Sequence, residues 1–202
     1  MDYQALLTRI METVDAEAYF TPTAHIDPMQ RKAVSEVRAM LREAHFDADV
    51  VRRAVRQRHA EGRMDRVIML SALHVVACHP RVADWEEAAR LVGEQEFAAL
   101  ELGGPRLQDN LASVDRHRGV IAYLRGHFAV ALDYFARALE RQRSAENLSN
   151  ILCTLIRLGE EGEAWQLLGQ IRRSFPAPLV ADVERAIQSD PDLALLRTER
   201  LS

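Results

Sequence analysis

Apolar residues recur along almost the whole chain at the three- and four-residue spacing of a helix, and sustained alternation of the kind a strand needs is almost absent. Ala5, Leu6, Ile10 and Met11 predict a first helix over roughly Asp2 to Ala18, broken by Thr21-Pro22-Thr23. Asp27-Pro28, with Gln30 three residues after the cap, starts a second helix carrying Val34, Val37, Met40 and Leu41 and ending near His45. Asp47 can cap a third, whose Val50, Val51, Ala54 and Val55 face inward until Gly62. A strongly apolar helix from about Met64 to His79 stops at Pro80, and Asp84 with Glu87 opens the next through Val92 and Phe97. Leu102-Gly103-Gly104-Pro105 is the clearest breaker, and we place the main boundary there.

Beyond it, Leu107, Leu111, Val114 and Ile121 mark a long helix closed near Gly126. Phe128, Ala131, Leu132, Phe135, Ala138 and Leu139 form the cleanest amphipathic stripe in the chain. Ser144 can cap a helix with Leu148, Ile151, Leu152 and Leu155, ended by Gly159. Ala164, Trp165, Leu168 and Ile171 belong to another before Pro176, Leu179, Val183, Ala186 and Ile187 to a further one, and Asp190-Pro191 starts a short last turn. The expected fold is all-α, with antiparallel helices joined by connections of a few residues.

Composition narrows the field. The 202 residues are 48% apolar and 28% charged, the balance of a globular chain able to bury a core without disulfides or metals. A net charge of −4 gives no basic field of the kind that advertises nucleic acid. The start, Met1-Asp2-Tyr3-Gln4, has no basic and apolar leader, and the longest apolar stretch, Val67 to Cys78, is too short to span a bilayer. A cytoplasmic protein is expected. A single lysine against 25 arginines points to a GC-rich, bacterial genome.

The second half repeats itself. Gly126 and Gly159 are 33 residues apart, as are Ala131 and Ala164; on that register Leu132 matches Trp165 and Phe135 matches Leu168. Each unit is a helix, a tight glycine turn and a second helix with a small alanine where the pair must approach closely. In Gly126-His-Phe128-Ala-Val-Ala131-Leu132-Asp-Tyr-Phe135-Ala-Arg-Ala138-Leu139, with Gly119 seven residues upstream, this resembles the tetratricopeptide repeat (TPR) family. The second unit keeps Leu148, Ile151, Leu152, Gly159, Ala164, Leu168 and Pro176 but departs at Glu161 and Ile171, where the family favours an aromatic and a small residue. The division that follows is an N-terminal helical region, 1–103, with a degenerate TPR-like pair at about 65–101 echoed by Trp85, Ala88, Ala89 and Val92. It is followed by 104–202, with units at about 112–144 and 145–178 and capping helices. The resemblance implies a short right-handed α-solenoid.

It also implies a site. TPR proteins bind peptide or protein segments in the concave groove lined by the first helix of each repeat. Helical geometry applied to these units points to Arg116, Val120, Tyr123 and Leu124, then Ser149, Asn150, Cys153, Ile156 and Arg157. Val120, Leu124 and Ile156 could instead pack on the N-terminal helices and fill the groove. Arg116 and Asn150 sit where the carboxylate clamp of chaperone-binding members has two of its residues, but Val120 replaces the clamp's first-repeat asparagine and no third repeat supplies the other cations. The resemblance thus implies a non-catalytic interaction module: an adaptor, assembly factor or chaperone-like scaffold whose partner is a protein or peptide.

Other chemistry is sparse. Cys78 and Cys153 are distant, lie in apolar runs and read as buried packing residues. His25-Ile-Asp27 and His45-Phe-Asp47-Ala-Asp49 have ligand-like spacing, but both leading aspartates serve better as helix caps, so neither metal nor cofactor is expected. His74 reads as a hydrogen-bonded core residue, and His117 and His127 as exposed. No phosphate-cradling loop and no nucleophile elbow is present, so no enzymatic activity is expected. Arg52, Arg53, Arg56, Arg58, Arg63 and Arg66 form the one basic concentration, offset by Glu61 and Asp65, and read first as a solvated face with i,i+4 pairing. A regulator binding nucleic acid or an acidic partner through that surface is one alternative function, and an accessory subunit that self-associates through its N-terminal helices is another.

Overall fold

A computed structural model describes residues 3–15 and 28–197; Thr21-Pro22-Thr23, His25 and the cap expected at Asp27 lie outside them. The described residues hold no strand. Their helices are α1 (Tyr3–Asp15), α2 (Pro28–Glu43), α3 (Ala48–Ala60), α4 (Arg66–Ala77), α5 (Trp85–Leu102), α6 (Leu107–Leu124), α7 (Phe128–Arg141), α8 (Ala145–Leu158), α9 (Glu161–Ser174) and α10 (Ala177–Ser189). A 3-10 helix, Pro191–Arg197, follows and is called the closing turn below. From α4 onward each helix packs on the next, giving the solenoid-like, all-α architecture.

Short polar side chains start several helices where their oxygens meet otherwise unpaired backbone N–H groups. Asp47 accepts from the N–H groups of Asp49 and Val50, Asp84 from that of Glu87, and Ser144 from that of Asn147. Asp65, which sequence placed beside the arginine cluster, does the same for α4 by accepting from Ile68. Buried Asn147 then donates to the Ala138 and Gln142 carbonyls, tying the end of α7 to the start of α8.

Two apolar cores result. One joins α2–α5 around α4, in which Leu70 to Ala77 are buried except half-buried Val75. The other joins α6–α10 and the closing turn. Val120 packs against both, so α6 is the joint. The α1 helix does not stay with the N-terminal region in which sequence placed it. Its Leu6, Ile10 and Val14 enter the second core, packing on α7 and α9, and Arg9 pairs with Asp133 and Glu140 of α7.

The 33-residue period is visible in the backbone. The Gly126 N–H donates to Tyr123 O and that of His127 to Ala122 O; 33 positions later, Gly159 donates to Ile156 O and Glu160 to Leu155 O. Both glycines are left-handed, φ 79° and 81°, which glycine adopts without steric cost.

The first pair is set by one contact. A Cβ on Gly119 of α6 would stand 2.5 Å from Phe135 Cε1 of α7, so the bare glycine is what admits the ring. Beneath it, buried Asp115 of α6 pairs with Arg141 at 3.0 Å and Arg137 at 3.5 Å, both from α7. Gly119→Ala should therefore destabilise the protein by about 1–3 kcal/mol through overpacking. Gly93→Ala in α5, with nothing within 4 Å of the new carbon, should stabilise it by about 0.5–1 kcal/mol. Urea denaturation of both variants checks the contrast.

Candidate partner-binding groove

The first helices of the two repeat units, α6 and α8, converge on the groove. Val120, Tyr123 and Leu124 of α6 and Asn150 and Cys153 of α8 line one cavity of about 90 Å3, with Phe135, Asp190 and Asp192 completing it. Five of the nine groove residues expected from sequence are brought together there. Arg157, one turn beyond Cys153, stands at its rim.

The groove is not open. After α10 the chain enters the closing turn, which packs on α10 and on α8 rather than forming another antiparallel helix. Leu193 and Leu196 are buried in the second core. The Tyr123 hydroxyl donates to Asp192 Oδ2, and Arg157 Nη1 lies 3.8 Å from Asp192 Oδ1. The Cys153 thiol donates to Asp190 Oδ2 at 3.9 Å, while Asp190 Oδ1 accepts from the Asp192 N–H at 2.9 Å. Phe128 supports this face: the Tyr123 ring meets it edge-on at 5.3 Å, and the Arg157 guanidinium lies over it at 5.1 Å. Burial, then the Asp192 hydrogen bond, pushes the Tyr123 hydroxyl well above its ordinary range; burial, then Asp190 and Asp192, does the same to the Cys153 thiol. Both remain protonated donors. Sequence gave one signal for this fold-back: Asp192 stands 33 residues after Gly159, and Pro191 precedes it, so the glycine turn cannot recur.

The remaining groove candidates lie elsewhere. Arg116 was expected as an accessible anchor but is buried; its Nη2 donates to Ser113 Oγ at 3.1 Å and its Nη1 has no hydrogen-bond partner. Ser149 is buried, and Ile156 packs half-buried on the second core. Leu124 is exposed, and so does not fill the groove against the N-terminal helices.

His117, expected at the surface, is buried at the joint, its ring stacked on His74 at 4.1 Å. Its Nδ1 is 2.7 Å from Gln95 Oε1, an acceptor only, so Nδ1 carries the proton; Gln95 Nε2 donates to Ser71 Oγ at 3.0 Å. One chain of polar contacts thus links α4, α5 and α6. Burial pushes the Cys78 thiol up to about 12, which keeps it an S–H donor toward His74 Nε2 at 3.3 Å. His127 is exposed.

The basic concentration is neutralised almost residue by residue. Arg52 pairs with Asp84 and Asp49, Arg56 with Glu87, Arg58 with Glu36, Arg63 with Glu61 and Arg66 with Glu101. Arg53 is the one of the six without a carboxylate partner among the described residues. Arg58 and Arg63 also line an open cleft of about 620 Å3 whose other charged residues are Lys32, Arg106, Glu36 and Asp65. That lining holds four cations against two carboxylates, and Lys32 and Arg58 share Glu36. Among the described residues no group of three or more His, Cys, Asp or Glu could hold a metal ion, and no helix is long and apolar enough to cross a membrane.

No family model, curated protein or solved structure matches the chain.

The stacked histidines make stability pH-dependent. Burial lowers His74 to about 4; a hydrogen bond with the His117 backbone opposes this and the Arg116 charge adds to it. His117 is pushed well below its ordinary value by burial, then by His74 and Arg116. As pH falls below about 6.5, the unfolded chain takes up these protons before the folded one does. Stability should therefore be fully present above that pH and fall by about 1.4 kcal/mol per unit for each histidine as pH drops toward 4. Urea denaturation between pH 7.5 and 4.5 should show a shallower slope for His74→Gln than for the wild type.

Proposed function

We propose that this protein is a non-catalytic interaction module of TPR type, whose α6–α8 groove captures a segment of a partner protein. Residues 107–174 then make two repeat units, α6–α7 and α8–α9, with α10 as the first helix of an incomplete third. One observation carries the reading: a chain segment, Pro191–Arg197, already lies against α8, with its leucines buried and its Asp192 bonded to Tyr123 of α6 and paired with Arg157 of α8, contacts of the kind that serve segment recognition. The adaptor or chaperone-like role is read from that segment-holding chemistry.

Leu124 is the residue on which to test it, because it lines the cavity and is exposed. A photo-crosslinking amino acid at position 124, activated in the native host, should trap a discrete partner. Leu124→Glu should lose that partner in pull-downs while Arg53→Glu retains it. Equal recovery by both variants would remove the groove from the function.

A second reading, self-association, is supported by α5, which exposes Phe97, Leu100 and Leu102 near its C-terminal end. On that reading, light scattering should show mass rising with concentration for the wild type and not for Phe97→Asp.

A further inference from the structure

We propose that the closing turn is a displaceable occupant of the groove, and that the partner segment shares its chemistry: a carboxylate followed by leucines one and four residues later, as in Asp192, Leu193 and Leu196. This rests on the groove reading above and names its ligand and its regulation.

Charge and shape point to such a segment. At the groove, Arg157 supplies a cation and Tyr123 a phenolic donor to a single carboxylate, and the second core beside α8 and α10 seats two leucines. Asp190 adds a second carboxylate at the Cys153 thiol. A basic segment would meet Arg157 with like charge, and a wholly apolar one would leave the Tyr123 hydroxyl without its acceptor.

The grip of the turn is limited in kind. It is a seven-residue 3-10 helix, a form whose hydrogen-bond geometry is poorer than that of an α-helix. Its ion pair to Arg157 is half solvent-exposed on the arginine side, so water screens it. It does not fill its seat, since a cavity of about 90 Å3 remains between Tyr123, Cys153, Asp190 and Asp192. Besides its buried leucines, carbonyls at the end of α10 and at its cap hold the far end: Arg197 donates from Nε to Ile187 O at 2.8 Å and from Nη2 to Asp190 O at 2.7 Å. Opening the turn withdraws Leu193 and Leu196 from the second core and leaves the backbone hydrogen bonds within α6 and α8 in place.

The experiment uses the full chain and a fluorescein-labelled nonapeptide with the sequence of Ser189–Arg197. In Asp192→Ala the turn loses its contacts to Tyr123 and Arg157, so the peptide should bind that variant about ten-fold or more tighter than the wild type, whose seat is occupied. Adding Arg157→Glu should abolish the gain, and so should replacing the peptide's second aspartate by asparagine. Alkylation of Cys153 by iodoacetamide, located by mass spectrometry, should run about ten-fold faster in Asp192→Ala and be suppressed by the peptide.

A folded Asp192→Ala chain that ignores the peptide and alkylates at the wild-type rate would make the turn a fixed cap and overturn the proposal. Dimerisation of that variant without peptide would assign the seat to a second copy, with the same consequence. Should Asp192→Ala not fold, amide exchange on the wild type decides: 191–197 should exchange far faster than 148–155, and equal protection overturns the proposal. Capture at position 124 reads the partner independently. Loss of peptide binding with capture intact removes only the ligand chemistry proposed here, and loss of capture with peptide binding intact removes the partner reading.

Discussion

The approach of α6 to α7 over Gly119 is the constraint on which the rest of the structure depends. No other residue admits the Phe135 ring at that point, because a Cβ would lie inside van der Waals contact with three ring atoms. The α6 helix also packs on α5 and bridges the two apolar cores through Val120. Its rotation therefore decides which residues face the groove and which face the joint. With Phe135 seated, Tyr123 and Leu124 turn toward the closing turn, while His117, on another side of the same helix, turns toward His74. The second pair reaches similar packing by a different division of volume, with Leu152 and Leu168, both buried, where the first has Gly119 and Phe135.

The joint shows why polar residues are kept in an otherwise apolar interior. Ser71, Gln95 and His117 form a bonded chain across three helices, and Cys78 meets His74 beside it. Buried polar groups stabilise only when satisfied, so this chain accepts one register of α4 against α5 and α6 and penalises a slip. Its cost is acid sensitivity, because two neutral stacked imidazoles beside buried Arg116 leave no room for a further positive charge. Burial makes the charge of Arg116 itself costly, and Glu146 is the acidic group that offsets part of that cost.

What sequence makes legible here is local. Caps at Asp47, Asp84 and Ser144, the stripe of α7 and the two glycine turns depend on residues within about one turn of each other, and the structure has them all. Five of the nine residues named for the groove meet at one cavity because i, i+3 and i+4 positions share a side of a helix, whereas Arg116, in the same register, is buried. The features missed are those decided at long range. His117 is buried by a residue of α4 across the joint, and α1 docks on α7 and α9, which are more than 100 residues away in sequence. The arginines of 52–66 read as a solvated face with local pairing, but their partners Glu36, Asp84, Glu87 and Glu101 come from elsewhere in the chain.

The closing turn combines both cases. Asp190-Pro191 announces that the helical repeat stops, but not where the chain goes next. Its course follows from what the groove lacks. Without a third antiparallel helix, the apolar face of α8 and α10 would stand open, and Leu193 and Leu196 are the nearest residues able to cover it. A segment tethered by a one-residue link competes for that face at an effective concentration of the order of millimolar or above. Any partner present at micromolar concentration is excluded unless the tethered segment binds weakly for its length. A short 3-10 helix, a screened ion pair and an unfilled cavity are physical means of weakening that grip, and the burial of Leu193 and Leu196 is the term they must offset for the turn to be displaced.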